Sequence, residues 1–234
     1  MKKMSLLSVI IPTKNEEKNI TNLLDCLDNQ TFKDFDIIIA DAKSTDYTLL
    51  NILSHKLFSK IKITKGGLPS IGRNNGAKKS NSEFLLFIDA DATIKDDKLI
   101  EKSVNIMINK NLDLITTNLS CRNNSVVKFI YLLNNTFQLL SKLDKPYSTG
   151  IYFMIRKSKF DELGGFNEED QYAEDYNLSR KVDKERFGIV NSYVYSDDRR
   201  FKKLGYTGVM KLFLKTLKNK NNEDYYKEKI NYFD

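Results

Sequence analysis

Phe84-Leu85-Leu86-Phe87-Ile88-Asp89-Ala90-Asp91 is the stretch on which the reading of this chain turns. Its first five residues are all apolar, the pattern of a strand buried on both faces of a parallel sheet. Two carboxylates one residue apart follow at the carboxyl end, where open α/β sheets bind ligands. Carboxylate oxygens suit hard cations, and a magnesium or manganese ion held this way usually also binds substrate phosphates. A lone Asp-x-Asp is more often a solvated loop, so the surrounding sequence decides its meaning.

Upstream, strands and helices alternate. Ser8-Val9-Ile10-Ile11 reads as a first strand, and Ile20, Leu23, Leu24 and Leu27 mark one helix face at i, i+3, i+4, i+7. Asp36 to Ala40 is a second strand, followed by a helix with Leu49, Ile52, Leu53 and Leu57 inward. Ile61 to Thr64 is a short third strand, and a helix near Ser70 to Lys79 leads into the strand before Asp89. Such repeated β-α units predict a right-handed, mostly parallel sheet.

Downstream the pattern loosens. A helix is predicted over 97–109, then a strand near 113–118. A longer amphipathic helix takes in Val126, Phe129, Ile130, Leu133, Phe137 and Leu140. Strands at 150–155 and 189–195, a short helix at 158–163 and a helix around 174–184 complete one mixed sheet.

The 234 residues suffice for one well-buried domain, and 41% hydrophobic with 29% charged residues is ordinary for a globular chain. No apolar stretch approaches the ~20 residues that span a bilayer. Met1 to Ser5 leads straight into a strand rather than a secretory signal, and Cys26 and Cys121 have no paired spacing. A reducing cytoplasm is the expected location. The net charge of +7 is uneven, because residues 199–220 hold eight Lys or Arg and no acid, which leaves the rest at −1. That balance argues against a nucleic-acid-binding body.

Further signals fall on the same sheet edge as Asp89 and Asp91. The first strand ends at Pro12-Thr13-Lys14-Asn15-Glu16, where Asn15 could cap the next helix. The second ends at Asp41, with Ser44 and Asp46 just beyond, and a carboxylate there can accept from a base or a ribose. Arg73 brings a planar cation suited to phosphate. Glu174-Asp175 opens a helix far along the chain, and the single histidine, His55, reads as a helix-surface residue. Alone, each has a structural explanation in turns, caps and surface charge. At successive strand ends they define a site.

This ordered set resembles the family 2 glycosyltransferases with a GT-A fold. The resemblance runs over residues 5–200 and rests on 8–17 (SVIIPTKNEE), 39–46 (IADAKSTD), 73–76 (RNNG), 87–91 (FIDAD), Thr149-Gly150, 160–166 (FDELGGF) and 174–178 (EDYNL). It implies a nucleotide-binding half at 5–95 and an acceptor half at 96–200 in one domain of residues 1–200; beyond it, 201–234 reads from its own residues as a basic amphipathic extension. The resemblance further implies a nucleoside-diphosphate-sugar donor, a UDP-sugar first among them, a divalent cation (Mn2+ or Mg2+) and inversion at the anomeric carbon. Pro12, Thr13, Glu16 and Asp41 would line the nucleoside, Arg73 would lie near it or the diphosphate, and Asp89 would face ribose or sugar. Asp91 would bind the metal, and Asp175, with Glu174 beside it, falls where the family keeps its general base.

Ala42-Lys43 departs from the acidic-then-glycine pair common after the first Asp. With no Trp, the chain lacks the Gln-x-x-Arg-Trp element of processive synthases, so single additions are expected. A glycan or a lipid-linked acceptor, transfer to a polyprenyl phosphate, and a non-catalytic nucleotide-sugar-binding module all stay open. A nucleotidyltransferase would bring a Gly-rich basic loop after the first strand, which Pro12 to Asn15 is not. Arg199 and Arg200 could contact phosphate or acceptor. Lys211, Lys215 and Lys218 fall opposite Val209, Met210, Phe213 and Leu217 on a helical wheel. Such a helix either lies on an anionic membrane, at the inner face in the cytoplasm, or docks its apolar side on the domain.

Overall fold

The computed structural model describes residues 4–228. In chain order the elements are β1 (Leu7–Thr13), α1 (Ile20–Asp28), β2 (Phe35–Asp41), α2 (Thr48–Leu53), β3 (Ile61–Lys65), α3 (Pro69–Lys79), β4 (Phe84–Ile88) and β5 (Thr93–Ile94). Then come α4 (Leu99–Asn109), β6 (Leu114–Cys121), α5 (Ser125–Ser141), β7 (Tyr152–Arg156), α6 (Lys157–Glu162), α7 (Glu174–Ser179), β8 (Phe187–Ser196), α8 (Arg199–Lys218) and α9 (Glu223–Lys227). The strands form one mixed sheet in the order β3-β2-β1-β4-β7-β6-β8-β5.

The all-apolar strands follow from burial on both faces. Leu7, Val9, Ile11, Ile37 and Leu86 pack with Leu23 and Leu27 of α1 and Val104 and Met107 of α4. Their alternates Ile10, Ile38, Leu85 and Phe87 pack on the other side with Ala77 of α3, Phe160 of α6 and Leu178 of α7. Period-two alternation therefore buries every position. Strands β3, β2, β1 and β4 are parallel, and β7 joins β4 antiparallel. The β1–β4 register ends at Ile10–Phe87, whereas β1–β2 runs on to Thr13–Asp41. The strands thus separate beside Pro12, at the point where the order reverses, and open the crevice.

Several elements differ from expectation. Helix α2 stops at Leu53, which is 50% exposed, and Leu57 is buried in the turn beyond. His55 lies in that turn, its side chain mostly covered, with Nε2 3.2 Å from Asp25 and Nδ1 accepting from Leu57 N. The 174–184 helix ends at Ser179, and Asp183 caps a separate single turn over 184–186. Strand β7 begins at Tyr152, two residues late, which leaves Gly150 in the turn that enters the crevice.

Helix α5 packs Ile130 and Phe137 on the protein but leaves much of its apolar side in solvent. Val127, Gln138 and Ser141 are buried, whereas Val126, Phe129, Leu133 and Leu140 are exposed. The cause is a strand edge: β6 pairs with β7 only from Leu114 to Thr116. Past that point Gln138 donates to Thr117 O at 3.1 Å, while Asn135 both accepts from Leu119 N and donates to Leu119 O at 2.9 Å. Satisfying backbone groups that have lost a partner outweighs hiding the leucines.

Helix α8 kinks at Gly205, where φ is 68°. Its Phe201 stacks on Tyr131 and its Phe213 on Phe137 and Tyr147, so the apolar side meets the protein while Lys211, Lys215 and Lys218 are exposed. Beyond it, Tyr226 is buried and donates to Thr216 O at 3.2 Å. The last six residues of the 201–234 stretch lie outside the described residues.

Candidate active site

Two loops after β1 and β2 build the first wall of the crevice. Asn15 takes a left-handed conformation (φ 54°), as Asn readily does. It does not cap α1, whose capping position is Asn19. Its Oδ1 instead accepts from Thr45 N at 2.9 Å, and Ser44 Oγ accepts from Asn15 N at 2.9 Å. Asp41 accepts from Ser44 N at 3.0 Å and Ser44 Oγ at 2.6 Å, while Glu17 N donates to Asp46 at 3.1 Å. Ser44 and Asp46 are thus turn chemistry, and they fix the Asp41 carboxylate at the strand end. A cleft of about 380 Å³, lined by Asn15, Asn19, Asp46, Asp197 and Arg199 among others, opens beside these loops.

The Asp-x-Asp carboxylates enter two separate ion-pair networks. Asp89 accepts from Arg73 Nη2 at 2.7 Å, and Arg73 Nη1 donates to Glu174. Arg73 is only 3% exposed and lies between the two acids. Those two acids and Asp175 hold its guanidinium firmly charged against burial. Burial pushes the Glu174 carboxyl up to about 7; Arg73 opposes that shift, and the charges of Asp175 and Asp89 add to it. Asp91 faces Arg199 at 3.1 Å, and Arg199 also pairs with Glu16 at 2.9 Å and with Asp197. Burial and then the Asp89 and Asp197 charges raise Asp91 to about 7, with Arg199 opposing.

Asp175, half-buried, accepts from the Gly150 and Tyr176 backbone amides. A side chain at Gly150 would run into the Arg73 guanidinium, so only glycine lets that turn pass between Arg73 and Asp175. Ala173, just before α7, is left-handed (φ 58°), local strain that aims Glu174 inward and leaves Asp175 in the crevice. Thr149 Oγ1 and Arg73 Nε are buried with no protein partner. Arg200 acts on the other wall, where its charge opposes the upward push of burial on the Tyr131 and Tyr147 hydroxyls.

The fold therefore gathers Glu16, Asp89, Asp91, Arg73, Glu174, Asp175 and Arg199, with Pro12, Thr13 and Asp41 at the adjoining strand ends. Asp197 and Gly150 are the members that sequence reasoning missed as site residues. Asp197 stands next to the noted Arg199-Arg200 pair, but nothing local tells that Arg199 meets Glu16, 183 residues away.

The sequence profile described as glycosyl transferase family 2 matches residues 8–164, more than half of the chain. The chain belongs to glycosyl transferase family 2. It is 38% identical over 98 residues to the amylovoran biosynthesis glycosyltransferase AmsB of Erwinia amylovora, covering 39% of this chain and 33% of that protein. It is 28% identical over 216 residues to the poly(ribitol-phosphate) beta-N-acetylglucosaminyltransferase TarP of Staphylococcus aureus, covering 83% of this chain and 65% of that one. The matches thus span a third of AmsB and 18% of the S. aureus TarS sequence. Among solved structures, S. aureus TarS 1-349 with UDP-GlcNAc superposes with a TM-score of 0.66 at 22% identity, covering 82% of this chain and 58% of that one. The mannosyltransferase PcManGT of Pyrobaculum calidifontis, in complex with GDP-Man and Mn2+, gives 0.67 at 17% identity, covering 93% and 65%. These likenesses establish the GT-A fold. Within this family 2 chain, Lys43 is left-handed (φ 60°) at the place where the resemblance expects glycine, so the loop keeps the glycine geometry without the glycine.

Proposed function

We propose that this chain transfers a hexose, one unit at a time, from a nucleoside-diphosphate sugar, a UDP-sugar foremost, to an acceptor hydroxyl with inversion. The observation that carries the reading is the unequal state of two adjacent carboxylates, Glu174 buried on Arg73 and Asp175 half-exposed in the crevice. Asp175 is then the general base, its carboxylate aimed by the Gly150 amide so that the other lone pairs can take the acceptor proton. Glu174, Arg73 and Asp89 form the positioning layer behind it. Pro12, Thr13, Glu16 and Asp41 line the nucleoside, and Asp89 reaches toward the sugar. Arg199 and Arg200 would contact phosphate or acceptor, Arg199 by exchanging its present carboxylate partners.

Among the described residues, no three His, Cys, Asp or Glu side chains converge into a metal cage. Asp91 nonetheless fits a divalent cation shared with a diphosphate, which needs only one or two protein carboxylates. Buried among Asp89, Asp197 and Glu16, it has Arg199 as its counter-cation. Manganese or magnesium bound there would neutralise the leaving diphosphate. Relatives support lipid-linked acceptors as well as glycans. One, 31% identical over 114 residues, is named GalNAc(5)-diNAcBac-PP-undecaprenol beta-1,3-glucosyltransferase of Campylobacter jejuni. Among the described residues no helix is long and apolar enough to cross a membrane. Contact of 199–220 with a cytoplasmic membrane face would rest on the exposed lysines, since the apolar side of α8 is occupied. Thermal-shift screening of nucleotide sugars with and without Mn2+ tests the reading. Wild type should be stabilised by one donor in a Mn2+-dependent way, and Asp91→Asn should lose the Mn2+ dependence. No response to any donor would overturn it.

A further inference from the structure

Helix α5 carries several large apolar side chains toward solvent. Phe129, Leu132, Leu133 and Leu140 recur at i, i+3, i+4 and i+11, which places them on one helix face. Phe129 is 59% exposed, Leu132 58% and Leu140 56%, and Leu143 prolongs the row just past the helix. The helix cannot roll to hide them, because Asn135 and Gln138 on its opposite face satisfy the unpaired edge of β6. A continuous exposed row of this kind marks an interaction surface.

The surrounding charge identifies the partner. Residues 122–145 contain Arg122, Lys128, Lys142 and Lys145 against one acid, Asp144, and residues 199–220 hold eight cations and no acid. The two helices lie together, Phe213 on Phe137 and Phe201 on Tyr131, and α8 exposes Lys211, Leu214, Lys215 and Lys218. We infer that the outer face of α5, flanked by the α8 lysines, docks on an anionic lipid surface. Phe129 and the leucines seat at the acyl boundary, and the lysines meet lipid phosphates. A second copy would bring two cation-rich borders together, which opposes a symmetric dimer through this face. The amino ends of both helices meet at the crevice, where Asn124 donates to Asp198 at 3.4 Å, next to Arg199. Docking therefore holds the crevice near the lipid surface, whatever the acceptor.

Co-sedimentation of the chain with phosphatidylglycerol/phosphatidylcholine vesicles and with phosphatidylcholine alone tests this. Wild type should pellet with the anionic vesicles and partly release at high salt. The combined F129S/L133S/L140S variant should partition roughly tenfold less or weaker still, with far-UV circular dichroism and melting midpoint unchanged. The K211Q/K215Q/K218Q variant should lose the preference for anionic lipid. Wild type left in the supernatant, or the serine variant pelleting like wild type, overturns the inference. Light scattering that shows a dimer split by the serine substitutions would also overturn it, assigning the face to a second copy.

Discussion

At the scale of single residues, Glu174 is buried on Arg73 while Asp175 stays half-buried in the crevice, and the proposed chemistry rests on that division. Asp175→Asn keeps the shape but cannot take a proton, so transfer to a hydroxyl should fall roughly 10²–10⁴-fold while calorimetry finds donor affinity nearly unchanged. An unaltered rate would remove Asp175 from that role and turn attention to Glu174→Gln or to a phosphate acceptor. Glu174 also makes a pH prediction. Its folded-state value near 7 lies above the ordinary 4.5. Its contribution to stability is therefore complete below the ordinary value and is lost as pH rises through about 7. Asp91, also raised, acts in the same direction. Urea midpoints measured from pH 5 to 8 should fall more steeply for wild type than for Glu174→Gln. Parallel profiles would show that Glu174 does not titrate in that window. Both acids stood out in the sequence, but their separate states did not. Those depend on Arg73, 101 residues upstream.

At the scale of elements, β1, β2, β4 and α1 were legible because each obeys one period, whereas α2 ends before Leu57 and leaves Leu53 exposed. The all-apolar run of β4 and the i, i+3, i+4, i+7 face of α1 name their own environment. Helix α5 was legible as amphipathic, but which part of its apolar side stays in solvent was not, because the deciding signal, the early end of β6–β7 pairing, exists only in the sheet. Helix α8 matters to the site because it delivers Arg199. Phe201, 5% exposed and edge-on to Tyr131, pins its first turn. Phe201→Ala should cost about 3–5 kcal/mol in urea denaturation and loosen the Arg199–Asp91 pair. A cost below about 1 kcal/mol would show that the first turn is held by other contacts.

At the scale of the whole molecule, one sheet runs through both halves, with β4 of the first paired to β7 of the second. Unfolding is therefore expected to be a single transition, coincident by far-UV circular dichroism and by tyrosine fluorescence, the intrinsic probe in a chain with 12 Tyr and no Trp. Two separated transitions would show that the halves unfold apart. The sequence by itself determined the α/β class, the strand ends that carry Asp41 and Asp89-x-Asp91, and the family, because hydrophobic period and turn chemistry are local quantities. Tertiary structure alone decided that Arg73 is buried between Asp89 and Glu174. It also decided that Arg199 reaches back to Asp91 and Glu16, and that α5 shows its leucines to solvent. Each of these depends on which polar group lacks a partner after the sheet is assembled, and that is a property of long-range pairing.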